Sequence, residues 1–177
     1  MIYTNELNNE LIPKWIDEIY SEYNIKCEIY PDIDLNNTEG FLPFKILFED
    51  TNINEIKGKY LLSGFEFYVS NNYYNMAEEL GNDSGEDIEK YKNKLINSRK
   101  NIMFSFDESA DSIEGVFSYI AIRMLAKLLN GVIYDTYRGI YLDSNEFNVI
   151  EKHKIDDMIL EYSENDGLII HEFEAWY

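Results

Sequence analysis

The sequence predicts an α+β fold in one domain, and three observations predict it. The chain has 177 residues, 45% of them hydrophobic, which suffices for one well-buried core and leaves little for a second domain. Segments that alternate with period two cluster along the chain instead of interleaving strictly with helices, which favours α+β over α/β. One helical stretch, 113–129, is apolar almost all round and therefore belongs at the centre. The expectation is a single domain over residues 1–177. It consists of a mostly antiparallel sheet packed against that central helix, with two or three further helices. No internal repeat, low-complexity tract or Pro/Gly/Ser linker divides the chain.

The elements follow from local patterns. Leu11, Trp15, Ile19 and Tyr23 recur every fourth residue, an apolar stripe on a helix over 11–23, and Pro13 suits its first turn. Cys27 and Ile29 alternate as a short strand, and Phe44, Ile46 and Phe48 as a second. A third spans 59–71, with Leu61, Phe65, Phe67 and Val69 on one face and Leu62, Glu66 and Tyr68 on the other. The polar stretch 71–83 reads as a connection. Ser84-Gly85-Glu86-Asp87 fits a capping box that opens a helix carrying Ile88, Tyr91 and Leu95 on one face. Ile102, Phe104 and Phe106 make a fourth strand. Asp111 or Ser112 caps the central helix, and Gly131 stands where a C-terminal cap belongs. Gly131 to Leu142, turning at Tyr137-Arg138-Gly139, reads as a hairpin. A last helix is expected over 154–162, and a last strand or ordered tail over 168–173.

Charge is the most informative part of the composition. Thirty-four acidic against fifteen basic residues leave a net charge of −19. Such a field repels phosphates, so neither direct nucleic-acid binding nor attachment to anionic lipid is expected, whereas basic proteins are attracted. Acidity also keeps a protein soluble, and composition by itself favours that plainer reading. The excess is uneven. Residues 1–57 hold twelve acids and four bases, and 143–177 hold ten and two, while Asp135 is the only acid between Val116 and Leu142. The flanks carry the field. The single cysteine, Cys27, excludes an intrachain disulfide and suits a reducing compartment. The opening Met1-Ile2-Tyr3-Thr4-Asn5-Glu6 has no basic or apolar leader region, so no signal peptide is expected. The longest apolar stretch is interrupted by Arg123 and Lys127, so no membrane span is expected either. The expected location is the cytoplasm.

A search for catalytic motifs finds only chance matches. Pro31-Asp32 with Glu55-Ile56-Lys57 matches the loose pattern of metal-dependent nucleases, but Glu55 lies in a polar stretch, not on a strand, and the net charge opposes DNA binding. Asp32-Ile33-Asp34-Leu35-Asn36 begins like a calcium loop, yet Asn37 stands where glycine is needed and Pro43 where glutamate is needed, so an Asx turn is expected. His153 and His171 lack a companion at metal-ligand spacing. Cys27 reads as a small strand residue. No catalytic, cofactor or metal residue is therefore assigned. Two acidic groupings remain as candidate partner contacts: Asp107, Glu108, Asp111 and Glu114 before the central helix, and Asp143 with Glu146 after the hairpin. Tyr73 and Tyr74 are candidate anchors beside them.

One stretch carries a likeness. From Phe104 to Asp143 a strand leads to an apolar helix that ends in Leu129-Asn130-Gly131, and Val132-Ile133-Tyr134-Asp135 opens a short hairpin. This pattern, under a quarter of the chain, resembles small acidic bacterial immunity proteins of polymorphic and contact-dependent toxin systems. The resemblance implies a cytoplasmic bacterial inhibitor that binds and neutralises one cognate toxin domain, expected to be basic, with a nuclease as one candidate, and it assigns no residue roles. Two alternatives stay open. One is a DNA mimic or mobile-element inhibitor of a nucleic-acid-binding protein. The other is an enzyme without a recognisable motif.

Overall fold

A computed structural model describes residues 1–71, 86–105, 112–147, 150–164 and 167–176, with the side chains of Glu86 and Asp87 left aside. Among these residues seven strands form one sheet, antiparallel at every pairing: β1 (Ile2–Thr4), β2 (Ile25–Ile29), β3 (Glu39–Phe48), β4 (Leu61–Asn71), β5 (Lys100–Ser105), β6 (Val132–Asp135) and β7 (Ile140–Leu142). Their order across the sheet is β2-β3-β4-β5-β1-β6-β7. Four helices accompany it: α1 (Leu11–Tyr23), α2 (Glu86–Asn97), α3 (Ser112–Leu128) and α4 (Ile155–Tyr162), the last preceded by a 3₁₀ turn over Lys152–Lys154. The predicted α+β architecture and the predicted central helix are both present.

The helix α3 organises the molecule. Thirteen of its seventeen residues are buried. One side meets an aromatic row rising from the sheet, in which Phe44 packs edge-on against Phe117 at 5.0 Å and lies 5.6 Å from Phe65. Trp15 of α1 stands edge-on to Phe44 at 5.4 Å, and its indole N–H donates to the Ala121 carbonyl of α3 at 2.8 Å. A buried indole needs such a partner, and the bond pins α1 across α3. The end of α3 is a Schellman motif. Asn130 adopts the left-handed conformation (φ 47°), the Gly131 N–H reaches the Ala126 carbonyl at 2.9 Å, and the Asn130 N–H reaches Lys127 at 3.2 Å. The left-handed cap is thus Asn130, one residue before the expected Gly131. Glycine at 131 serves the next contact, because a Cβ there would stand 2.6 Å from Ile2.

The sheet has helices on both faces. Along β1, β6 and β7, Ile2, Ile133 and Leu142 join the main core, while Tyr3, Val132 and Tyr141 point the other way and cover Ile88, Tyr91 and Leu95 of α2. So α2 lies opposite α1, α3 and α4. It covers only that end of the face. At the other end Phe41, Leu62, Tyr68 and Met103 remain exposed. Phe41 has a structural reason to be there, because its ring lies over Gly64 in the neighbouring strand. A Cβ on Gly64 would come 2.7 Å from that ring and 2.3 Å from the Leu42 carbonyl oxygen.

One element departs from the pattern reading. The strand β1 was not expected, and it lies inside the sheet between β5 and β6, with Ile2 opposite both Ile102 and Ile133. Of the last strand or ordered tail expected over 168–173, the structure shows a tail, joined to β4 by a single bridge, Leu61 to Glu172, flanked by Leu62 N–H to the His171 carbonyl at 2.7 Å and Phe173 N–H to the Tyr60 carbonyl at 2.8 Å. The predicted capping box at 84–87 falls partly outside the described residues.

Arg123 is the one charged residue buried within α3, at 8% exposure. Its guanidinium donates to the Glu22 carboxylate and the Tyr23 hydroxyl on α1, and its Nε donates to the Ser144 carbonyl at 2.8 Å. Lys127, one turn on, reaches Glu18 at 2.7 Å and Glu22 at 3.2 Å. Breaking such a pair leaves buried groups without partners, which costs more than the pair contributed. Arg123→Met is expected to lower the unfolding free energy by about 3 kcal/mol in urea titration. Gly64→Ala, through its backbone clash, is expected to cost about 2 kcal/mol in the same measurement.

Candidate interaction surface

The hairpin β6–β7 and the helix α4 border a hollow of about 550 Å³. Its walls are aromatic and aliphatic, including Phe104, Tyr119, Phe147, Met158 and Tyr162, with Asp135, Thr136 and Arg138 at the hairpin side. Asp135 shapes that side. One carboxylate oxygen accepts the Tyr137 and Arg138 backbone N–H groups at 3.0 and 3.1 Å, the other meets Arg138 Nε at 3.3 Å, and the Asp135 carbonyl accepts from Gly139 at 2.8 Å. Gly139 takes the left-handed backbone (φ 68°) that closes the turn. The result is a turn held from within that presents Tyr137 to solvent at 92% exposure. A tyrosine held this way loses little freedom on binding.

The helix α4 divides by period. Ile155 and Ile159 are buried against the core, and Met158 and Tyr162 face the hollow. Asp157, Leu160 and Glu161, continued by Glu164 in the turn that follows, share the outer side. Leu160 is 49% exposed. None of these three carboxylates has an ion-pair partner among the described residues. Asp156 differs, because it accepts from the Thr51 hydroxyl at 2.8 Å and the Asn52 N–H at 2.7 Å and so ties α4 to the β3–β4 connection.

That surplus of free acid has a simple origin. Ten of the fifteen lysines and arginines already hold an internal carboxylate. Most of the bases are thus engaged in the protein's own pairs, and among the described residues Asp157, Glu161 and Glu164 are left facing solvent.

The residues predicted from sequence as partner contacts separate into three groups. Tyr73, Tyr74, Asp107, Glu108 and Asp111 lie outside the described residues. Glu114 is half-buried in the first turn of α3, where the helix dipole favours a negative charge. Asp143 and Glu146 are together, in a turn that clasps the edge of the sheet. The Asp143 carboxylate caps the Asn145 N–H at 2.8 Å. The turn reaches Arg123 of α3 on one face through Ser144. On the other face Glu146 accepts from Lys90 at 2.5 Å and from the Tyr91 hydroxyl at 2.6 Å, both on α2. Glu146 is exposed but engaged. The Lys90 ammonium, and then the Tyr91 hydroxyl, hold its carboxyl down at about 2. Sequence reasoning passed over Asp157, Glu161, Glu164 and Tyr137. The first three were readable from helical period, whereas the exposure of Tyr137 needed the turn geometry.

The catalytic alternatives gain nothing from geometry. Cys27 is buried on β2, and burial pushes its thiol up to about 12. Asp34 makes the expected Asx turn, accepting from Asn36 N–H at 3.1 Å, and its carbonyl accepts from the Thr38 hydroxyl at 2.7 Å. His153 is exposed, 3.4 Å from Glu151. Among the described residues no three His, Cys, Asp or Glu side chains gather as a metal site, and no helix is long and apolar enough to cross a membrane. No family model, no curated protein and no solved structure matches the chain.

The clasp predicts a pH signature. Glu146 titrates lower in the folded state than the ordinary glutamate value of about 4.3, so its stabilisation is complete above that value and disappears as pH falls toward 2. Glu146→Gln should lower the melting temperature by about 2 °C at neutral pH. Calorimetry of the two proteins should show that difference vanish as the pH approaches 2.

Proposed function

We propose that this chain is an immunity-type inhibitor, a protein that binds and neutralises one basic toxin domain in the bacterial cytoplasm. The observation that carries the reading is the surface formed by α4 and the β6–β7 turn. There, carboxylates with no ion-pair partner among the described residues frame exposed apolar groups beside a hollow. Asp157, Glu161 and Glu164 supply long-range attraction for a basic partner, which speeds encounter and fixes orientation. Tyr137, Leu160 and Tyr162 supply contact area, and an aromatic held by its own backbone is the side chain that most often dominates such interfaces. The net charge of −19 acts in the same direction. Inhibition on this reading is steric and electrostatic, with the acidic surface occupying the basic cleft that would otherwise hold the toxin's substrate.

The test is binding to the product of the adjacent gene, measured by calorimetry at two salt concentrations. The expected result is a tight complex that weakens about tenfold or more between low and moderate salt. The triple variant D157N/E161Q/E164Q should weaken it by about tenfold at low salt, and Tyr137→Ala by about tenfold or more at either salt concentration. Absence of any basic binding partner among neighbouring gene products, or a complex indifferent to all four substitutions, would overturn the proposal.

A further inference from the structure

The strand β2 ends the sheet, paired on one side only, with β3. Asn24 accepts from the Glu49 N–H at 3.2 Å and Tyr30 donates to the Pro43 carbonyl at 3.4 Å. Antiparallel ladders alternate, so the even-numbered residues address β3. The N–H and C=O groups of Ile25, Cys27 and Ile29 therefore point away from the sheet, and among the described residues nothing is bonded to them. A groove of about 260 Å³ runs along this edge, bounded by Ile16 and Tyr20 of α1 on one side and by Lys45 and Tyr60 on the other.

The sequence of β2, Ile25-Lys26-Cys27-Glu28-Ile29, is complementary to itself when reversed. We propose that this edge pairs with β2 of a second copy of the chain, antiparallel about a two-fold axis through Cys27, to form one continuous sheet of two subunits. In that register Ile25 faces Ile29 of the partner and Cys27 faces its equivalent. These are the residues whose backbone groups point outward, so each facing pair exchanges both hydrogen bonds, six in total. Lys26 then faces the partner's Glu28, and Glu28 the partner's Lys26, at the non-hydrogen-bonded positions where side chains approach most closely. Lys26 is already 2.5 Å from Glu49, and Glu28 2.8 Å from Lys45. Pairing would join them into a row of alternating sign across the junction, Glu49–Lys26 of one copy continuing into Glu28–Lys45 of the other. An isologous interface requires this kind of self-complementarity, and an edge meant for an unrelated strand does not.

The net charge opposes association of two copies. That repulsion acts at long range and is screened once the Debye length falls to about 8 Å near physiological salt, whereas the Lys26–Glu28 contacts are short and persist. The β2 edge lies at the far end of the sheet from the β6–β7 hairpin, so pairing leaves Tyr137 free on both subunits.

Sedimentation equilibrium on the full chain tests this. At about 0.15 M salt and loading up to about 500 µM, the chain should show a monomer–dimer equilibrium. Lys26→Glu alone and Glu28→Lys alone should each raise the dimer dissociation constant by about tenfold or more. An equimolar mixture of the two variants should restore association, because each chain then faces opposite charges. Amide hydrogen exchange of the unmodified chain supplies a second reading that depends on no variant: exchange at Ile25, Cys27 and Ile29 should slow as concentration rises. A chain that stays monomeric throughout, single variants that still dimerise, or a mixture that fails to associate while both variants remain folded would overturn the proposal.

Discussion

The rest of the structure answers to one constraint, that α3 must be covered on every side. A helix apolar nearly all round cannot face water, and the molecule surrounds it with the sheet, α1, α4 and the segment after β7. Arg123 is the single charge carried into that position, and its solution shapes the neighbourhood. Five donors in a planar fork need acceptors, and these come from α1 and from the turn after β7. The same residue that threatens the core with an unpaired charge therefore fixes the positions of two elements that were free to slide on apolar contacts. The 143–147 turn extends the arrangement around the sheet edge to α2 through Glu146.

This economy of charge determines the surface. Few bases exist, and most are used to join elements: Arg123 and Lys127 join α3 to α1, Lys90 joins α2 to the turn, and Lys59 joins the segment before β4 to the tail. Apart from the buried Arg123 pair, these exposed pairs individually contribute little stability, but they determine which carboxylates remain free. On α4 the period that buries Ile155 and Ile159 necessarily directs Asp157, Glu161 and Glu164 outward. The acidic face follows from the amphipathic helix, and its position beside an exposed Tyr137 gives it the combination of charge and contact area that protein recognition uses.

Much of this was legible in the sequence, and what was not had a physical reason. Period identified α1 to the residue, because Leu11, Trp15, Ile19 and Tyr23 repeat over three turns. The alternation in β4 correctly separated Leu61, Phe65 and Phe67 from Leu62, Glu66 and Tyr68. The strand β1 escaped because three residues are too few to show a period, and its place between β5 and β6 depends on pairing with residues far along the chain, such as Ile102 and Ile133. The Asn130 cap was displaced by one because a glycine next to it satisfied the usual preference for another reason, the closeness of Ile2. Glu146 read as a free acid because Lys90 lies fifty-six residues back in the chain. Acidity was visible as a total, but which acids are engaged is decided by tertiary contacts.

The central claim is that the α4 and β6–β7 surface receives a basic protein partner. Hydroxyl-radical footprinting of the chain, alone and with the adjacent gene's product, measures this on the side chains themselves. The account predicts that oxidation of Tyr137, Leu160 and Tyr162 falls in the complex, while Phe41, Tyr68 and Met103 on the open end of the sheet are unchanged. Protection of the sheet face with Tyr137 still fully reactive would contradict it.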